Sequence, residues 1–367
     1  SGVQMENAGQ VTLQRMILDD NETGITVLNS GLAVDDDQFL RLYSSQVDRS
    51  DVRGIHSINL IELDIQDTSF NTNGDDAALG RETILAQYSE LLNDPTTEQF
   101  DEFDNPYLIN IDRSTFISTA DDAVVIETLT GGSNSHLGLD MTDNNFTVSD
   151  LTDPDPADLQ DDAIIVNWNG PALARFQSNS FLLDGATAQT AIDFQALSTT
   201  DHLGMTIQGN QVNSTVTNTL ALTQNRGFRV RTLSQSDILI NANTLSFTGG
   251  EGLGMEFNLA ANTTMQILNN TISDLTDGGA GMIFNTVSQP SLFVISGNTI
   301  TLFDTGVANE EGILFRSVGG LVNLAGTQDN VIVVGNPQSL NARIETIFSM
   351  PAGSNIGTIL VNGVPTP

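Results

Sequence analysis

The sequence predicts an all-β protein, a right-handed parallel β-helix (solenoid) of about ten coils, forming a single domain over residues 1–367 with one short helical insertion. Three observations predict it. A strand–turn–strand unit recurs at intervals of about 30 residues, an Asn closes the turn of most copies, and a further short strand accompanies nearly every unit.

The unit is an apolar alternation, a polar turn ending in Asn, one residue, and a second apolar strand. It runs as LGLDMTDNNFTV from Leu137, ALARFQSNSFLL from Ala172, LGMTIQGNQV from Leu203 and DILINANTLSF from Asp237. It continues as TMQILNNTISDL from Thr264, LFVISGNTITLF from Leu292 and VNLAGTQDNVIVV from Val322. The matching residues are Asn144, Asn179, Asn210, Asn243, Asn270, Asn298 and Asn330, at spacings of 35, 31, 33, 27, 28 and 32. Thr68 and Ser114 hold the same place in two earlier copies, which end in Phe70 and Phe116.

The additional strand is DAVVIETL at Asp122, DAIIVNW at Asp162, TAIDFQAL at Thr190, GFRVRTL at Gly227, GLGMEFNL at Gly252, AGMIFNTV at Ala280 and GILFRSV at Gly312. Three short strands cannot bury a core alone. Stacked, they pair in parallel at about 4.8 Å and merge their inward residues into one apolar column. The Asn residues then form a ladder inside a turn, where side-chain amides satisfy backbone groups and one another. A β-sandwich would instead separate its strands by hairpin turns, with no Asn recurring at this interval.

The Gly297-Asn298-Thr299-Ile300 signature and its relatives resemble the right-handed parallel β-helix (pectate-lyase-like) superfamily, in the manner of a surface or adhesin-type member. The resemblance covers most of the chain. It implies the fold and leaves function open, because that superfamily includes pectin lyases and hydrolases, phage tailspikes, adhesins and surface-layer proteins.

At the start, GVQMEN from Gly2 matches GMEFN from Gly254, and GITVLNS from Gly24 matches GILFRSV from Gly312, so the sequence opens inside a coil. An uncapped coil end exposes strand edges that invite pairing with another chain; the alternative is a short irregular cap over residues 1–10. Residues 75–107 interrupt the pattern. There GRETILAQYSELLND from Gly80 places Ile84, Leu85, Tyr88, Leu91 and Leu92 at helical spacing, with Pro95 beyond, which predicts a helix over the flank. A second interruption, residues 150–162, is acidic and carries Pro154 and Pro156, hence an exposed loop. ARIETIF from Ala342 and IGTILVNGV from Ile356 are the closing strands, and Pro365 and Pro367 stop the ladder.

Charge narrows the partners. Lys+Arg is 12, all Arg, against Asp+Glu 46, for a net charge of -34. Such a chain repels nucleic acid, whose phosphates need cations. It suits high salt, divalent cations or a hydrated extracellular matrix. The acids concentrate early: residues 1–200 carry 35 acids and seven Arg (net -28), and the remainder 11 acids and five Arg (net -6). The two ends are therefore not electrostatically complementary. There is no Cys, hence no disulfide framework, and no apolar run approaches the roughly 20 residues of a membrane span. Ser1 has the character of a mature or trimmed terminus, which fits a secreted or cell-surface protein.

The catalytic clue is an acidic doublet opening a strand: Asp75-Asp76, Asp121-Asp122 and Asp161-Asp162. It looks like the G-D-D element of pectin-hydrolysing β-helices, in which carboxylates act as acid and base. Asp122 and Asp162 hold equivalent places in neighbouring coils, so stacking brings them to about 5 Å, within the carboxylate spacing of glycoside hydrolysis. Departures are many. None of His56, His136 and His202 lies in a G-H-G, and Arg343-Ile344-Glu345 stands where that family has R-I-K. A lyase would have to use Arg113 or Arg175 as its base. Asp equally opens turns by accepting backbone N–H bonds. Calcium is a second expectation, with hard oxygen ligands at Asp19, Asp20, Asn21 and Glu22, at Asp35, Asp36 and Asp37, at Asp75 and Asp76, and through residues 150–162; none forms a D-x-D-x-D-G loop. Trp168 is a candidate exposed contact, and the sparse aromatics make no sugar platform.

The sequence thus predicts an extracellular structural or adhesive solenoid that meets itself end to end, other surface proteins, or glycans. The alternatives are a polysaccharide hydrolase or lyase on the Asp122/Asp162 face, and a passive spacer inside a larger surface protein.

Overall fold

The computed structural model describes residues 1–7, 9–29, 38–71, 73, 82–89, 107–118, 122–129, 136–149, 161–185, 188–199, 201–216, 225–248, 251–303, 311–316, 322–323, 330–334, 359–361 and 364–366. These form a right-handed parallel β-helix of about ten coils with three long parallel sheets. From the strand Gln10–Gln14 to the strand Glu311–Phe315, the described coils contribute to the three sheets in turn. In one coil, Leu137–Thr142 lies in the first sheet, Asn145–Val148 in the second and Ile164–Trp168 in the third. The next coil repeats the order with Ala172–Gln177, Ser180–Gly185 and Thr190–Ala196. The first sheet has 11 strands among the described residues, from Gln10–Gln14 to Val322–Asn323. The long strand Thr271–Val287 runs through the second sheet into the third and links them.

Strand alternation builds the core. Inward residues bury fully, and in the second sheet Phe70, Phe116, Phe146 and Phe181 stack with centroids 4.9, 4.8 and 5.0 Å apart and planes within 8°. That separation is the strand spacing itself, so identical rings in successive coils meet face to face. Trp168 belongs to this interior. It is 0% exposed and packs edge-on against Tyr88 and Tyr107, so the expectation of an exposed Trp contact is corrected. A large ring on the inward phase of a strand between two paired neighbours has no route to solvent.

The helix expected after Gly80 is also corrected: among the described residues there is no helix, and Ile84–Tyr88 is a strand of the third sheet. It pairs in parallel with Arg53–Ile58 on one side and Val124–Thr128 on the other. Ile84, Ala86 and Tyr88 point inward and are 0% exposed. A five-residue apolar stretch satisfies both periods, and pairing on two edges overrides helical propensity. Leu91, Leu92 and Pro95 lie outside the described residues. At the far end, Ile359–Val361 pairs in parallel with Asn330–Val334, and Val364–Thr366 turns back antiparallel to it, with Pro365 opposite Leu360. Ala342 to Phe348 lie outside the described residues.

Candidate functional site

The turn from the first to the second sheet is two residues long, and its first residue takes a left-handed conformation. Asp67, Arg113, Asp143, Ser178, Ala242 and Asn269 do so at φ between 47 and 56°, Gly209 and Gly297 at 66 and 67°. The second residue is the ladder position. Asn179 Nδ2 donates to Met141 O (2.8 Å) and to Asn210 Oδ1 (3.0 Å), while Asn210 Oδ1 also accepts from Asn179 N at 2.9 Å. The same three bonds repeat at Asn144, Asn210, Asn243, Asn270 and Asn298, and Asn330 Nδ2 donates to Ile295 O at 2.6 Å. Toward the start of the chain hydroxyls take over. Ser114 N donates to Asn144 Oδ1, Thr68 N to Ser114 Oγ at 3.2 Å, Ser45 N to Thr68 Oγ1 at 3.4 Å and Met16 N to Ser45 Oγ at 3.1 Å. Ser45 escapes a search for Asn; its signal is a small hydrogen-bonding side chain after a strand, two residues before an apolar one.

Asp122 and Asp162 occupy equivalent positions in adjacent coils of the third sheet, since Ala123 N donates to Asp162 O at 3.1 Å and Thr83 N to Asp122 O at 3.0 Å. The Asp122 carboxylate accepts the backbone N–H of Asp162 at 2.7 Å, which is the turn chemistry of Asp. In the preceding coil this row is occupied by Glu82, paired with Arg53 at 2.8 Å. Asp75, Asp76 and Asp121 lie outside the described residues.

Asp162 begins a second feature, a ribbon of charge on the outer side of the third sheet. Asp193 stands opposite Arg229, and Arg229 opposite Glu256, in successive coils. Arg229 Nη2 donates to Asp193 Oδ2 and lies 3.8 Å from Asp162 Oδ2. Arg231 donates to the same Asp193 oxygen at 2.7 Å, and Arg226 pairs with Glu256 at 2.9 Å. Asp162 and Asp193 are 1% and 2% exposed. Burial, then the Asp193 charge, pushes the Asp162 carboxyl up to about 7, against the pull of Arg229 and Thr190. The buried Asp162 carboxyl thus keeps its proton to near neutrality, beside an Asp193 that two guanidiniums engage. Both side chains are closed off from a polymer by burial. Asp193, Arg229, Arg231 and Glu256 were not singled out from the sequence. Counting alternate residues along TAIDFQAL, GFRVRTL and GLGMEFNL in register puts Asp193, Arg229 and Glu256 in one row, with Arg231 in the next, opposite Gln195 and Asn258.

The remaining candidates have partners of their own. Asp20 is held below the usual carboxylate range by Arg49, which pairs with Asp19 and, at 2.8 Å, with Asp20, so an arginine already meets the first of the expected calcium ligands. Asp35, Asp36, Asp37 and residues 150–160 lie outside the described residues, and among the described residues no three His, Asp or Glu converge as for a metal. Arg113 pairs with Asp67 at 2.9 Å and with Asp112, and Arg175 with Asp140. His56 lies 3.1 Å from Gln87 and His202 3.1 Å from Asp237.

No family model matches this chain, and neither the curated proteins nor the solved structures contain a match.

Proposed function

We propose that the chain is an extracellular structural or adhesive β-solenoid of the parallel β-helix superfamily, secreted or held at a cell surface, that serves as a rod in a surface array or fibre. The observation that carries this reading is the engagement of the acids that suggested chemistry. Asp122 binds the backbone of the next coil, Asp162 is buried, and Asp19 and Asp20 are met by Arg49. Polar chemistry in the described coils is directed at stacking one coil on the next. Two further observations support it. The Lys-free, strongly acidic composition favours neutral or cationic partners in a hydrated matrix. The strands Val3–Glu6, Gln10–Gln14 and Ile17–Asp19 each pair on one side only among the described residues, and Ile17 is 74% exposed. More of the same solenoid or a second copy can continue that edge.

Negative-stain electron microscopy of the purified protein, with calcium and with chelator, tests assembly. Filaments that vanish on chelation establish a cation-bridged array; filaments indifferent to chelator establish strand pairing at the coil ends. Isolated short rods in both conditions overturn self-assembly. The alternative, a polysaccharide hydrolase or lyase on the Asp122/Asp162 face, is disfavoured by the burial of Asp162 and by the engagement of Asp122 with the next coil. It requires turnover of neutral glycans that the double variant Asp122→Asn/Asp162→Asn abolishes, and wild-type inactivity on a broad panel counts against it.

A further inference from the structure

The turns leading from the third sheet back to the first differ in length, and the difference carves a notch. Residues 197–201 connect Thr190–Ala196 to His202–Gln208, but only residues 233–234 connect Asn225–Thr232 to Gln235–Asn241. The next two coils use residues 260–262 and 288–290. One short turn between longer ones, at a coil spacing of about 4.8 Å, leaves an open cleft. Its volume is about 410 Å³, within the range of small-molecule sites.

Leu233, 42% exposed, and Gln235 line it from the short turn, Asp201 from the coil before, and Ala261, Asn262 and Gln289 from the coils beyond. The short turn is rigid. Ser234 Oγ donates to Ser198 O at 2.6 Å, Ser236 Oγ to Ser234 O at 2.8 Å, and Thr232 Oγ1 both donates to Ser234 O and accepts from Ser234 N at 3.0 Å. A cleft held this way is organised before any ligand arrives.

The lining states what it would hold. Asp201 lines the cleft, and its Oδ2 has no hydrogen-bond partner, so a small shift of this side chain toward a ligand hydroxyl would satisfy a costly unmet acceptor. Gln235, Asn262 and Gln289 each offer an amide that both donates and accepts, matched to neighbouring hydroxyls. Leu233 and Ala261 offer the apolar surface that a sugar's C–H face covers. No Lys or Arg lines the cleft, which disfavours anionic ligands.

We propose that this notch binds a single neutral hexopyranose unit of a glycan, with the Asp201 carboxylate accepting hydrogen bonds from its hydroxyls. The site is independent of end-to-end assembly: a rod that never polymerises can still carry it, and an array can form without it.

Saturation-transfer NMR on the whole chain with D-glucose, D-galactose, D-mannose and N-acetyl-D-glucosamine, titrated one at a time, tests the proposal. At least one sugar should give saturable transfer. Asp201→Ala should weaken it about tenfold or more, as expected when a designed polar contact is lost, and Leu233→Arg, a change at an exposed side chain, should abolish it by filling the notch. Far-UV circular dichroism and melting identify which variants remain folded, and Leu233→Arg carries the test if Asp201→Ala does not. Absence of saturable transfer from all four sugars overturns the proposal, as does binding that survives the folded variants. Displacement of the sugar signal by ethylammonium at matched ionic strength also overturns it, in favour of a cation site.

Discussion

Asn210 accepts from the Asn179 backbone and side chain and donates to Phe176 O and Asn243 Oδ1, all inside a turn with 1% of its surface exposed. Replacing it with Ala strips partners from buried groups on both neighbouring coils. Asn210→Ala should therefore destabilise by about 2–4 kcal/mol, read as a lower denaturation midpoint in urea. Asn210→Ser should recover part of this, because hydroxyls already fill the same position at Thr68 and Ser114. Asp162 makes the opposite kind of prediction. Its folded carboxyl titrates near 7, above its ordinary value of 3.8, so its contribution is full below that ordinary value and is lost as pH rises through about 7. The protein should unfold more readily at pH 8 than at pH 5.5 by an amount on the order of 2 kcal/mol from this group, since only the part of its titration between pH 5.5 and about 7 falls in that window. Asp162→Asn should flatten that dependence in thermal melts, and a profile unchanged by the substitution would show that Asp162 is already ionised in the fold.

Within each element the least expected constraint is a column of small residues. Gly24, Gly54, Thr83, Ala123, Ala163, Ala191, Gly227, Gly254, Gly281 and Gly312 occupy successive coils of the third sheet, just where two consecutive residues turn inward, as the burial of Gly227 and Phe228 shows. A Cβ on Gly227 would stand 1.9 Å from Leu245 Cδ2 and 2.5 Å from Gly254 O. Gly227→Ala should thus cost roughly 1–3 kcal/mol, the usual penalty of overpacking. Gly9→Ala, where nothing lies within 4 Å, should be close to neutral; calorimetric melts of the two variants compare them directly. This column also accounts for the Ala that follows each acidic doublet at Asp122 and Asp162. The repeat made the strand in each of these units legible, whereas the small residue heading it drew no attention because Gly, Ala and Thr alternate there without a fixed letter. The stretch Ile84–Tyr88 failed for another reason: its short apolar run fits two periods, and only its pairing with Arg53–Ile58 and Val124–Thr128 chooses between them.

Across the whole molecule, a net charge of -34 must be accommodated by a stack in which nearest-neighbour coils supply the stability. The interior ladder changes with position: amides from Asn144 onward, hydroxyls at Ser114, Thr68 and Ser45. The hydroxyl rungs all fall within the acid-rich residues 1–200, ahead of the amide rungs that begin at Asn144. Screening should help, so the melting temperature should rise with sodium chloride as self-repulsion is damped. Calcium chloride at matched ionic strength separates screening from specific binding: an equal rise removes the need for a calcium site, and a larger one establishes it.

The sequence by itself determined the solenoid and the Asn ladder, because both follow from a short strand–turn–strand pattern that successive coils repeat, while the strand Ile84–Tyr88 read as a helix. It did not determine what lies side by side across coils. The Asp162–Asp193–Arg229 ribbon, the burial of Trp168 and the notch at Leu233 each join residues one or more coils apart in the sequence, whose meeting depends on register and on turn lengths. Those turn lengths vary from one coil to the next, so the contacts between coils are set only when the strands stack.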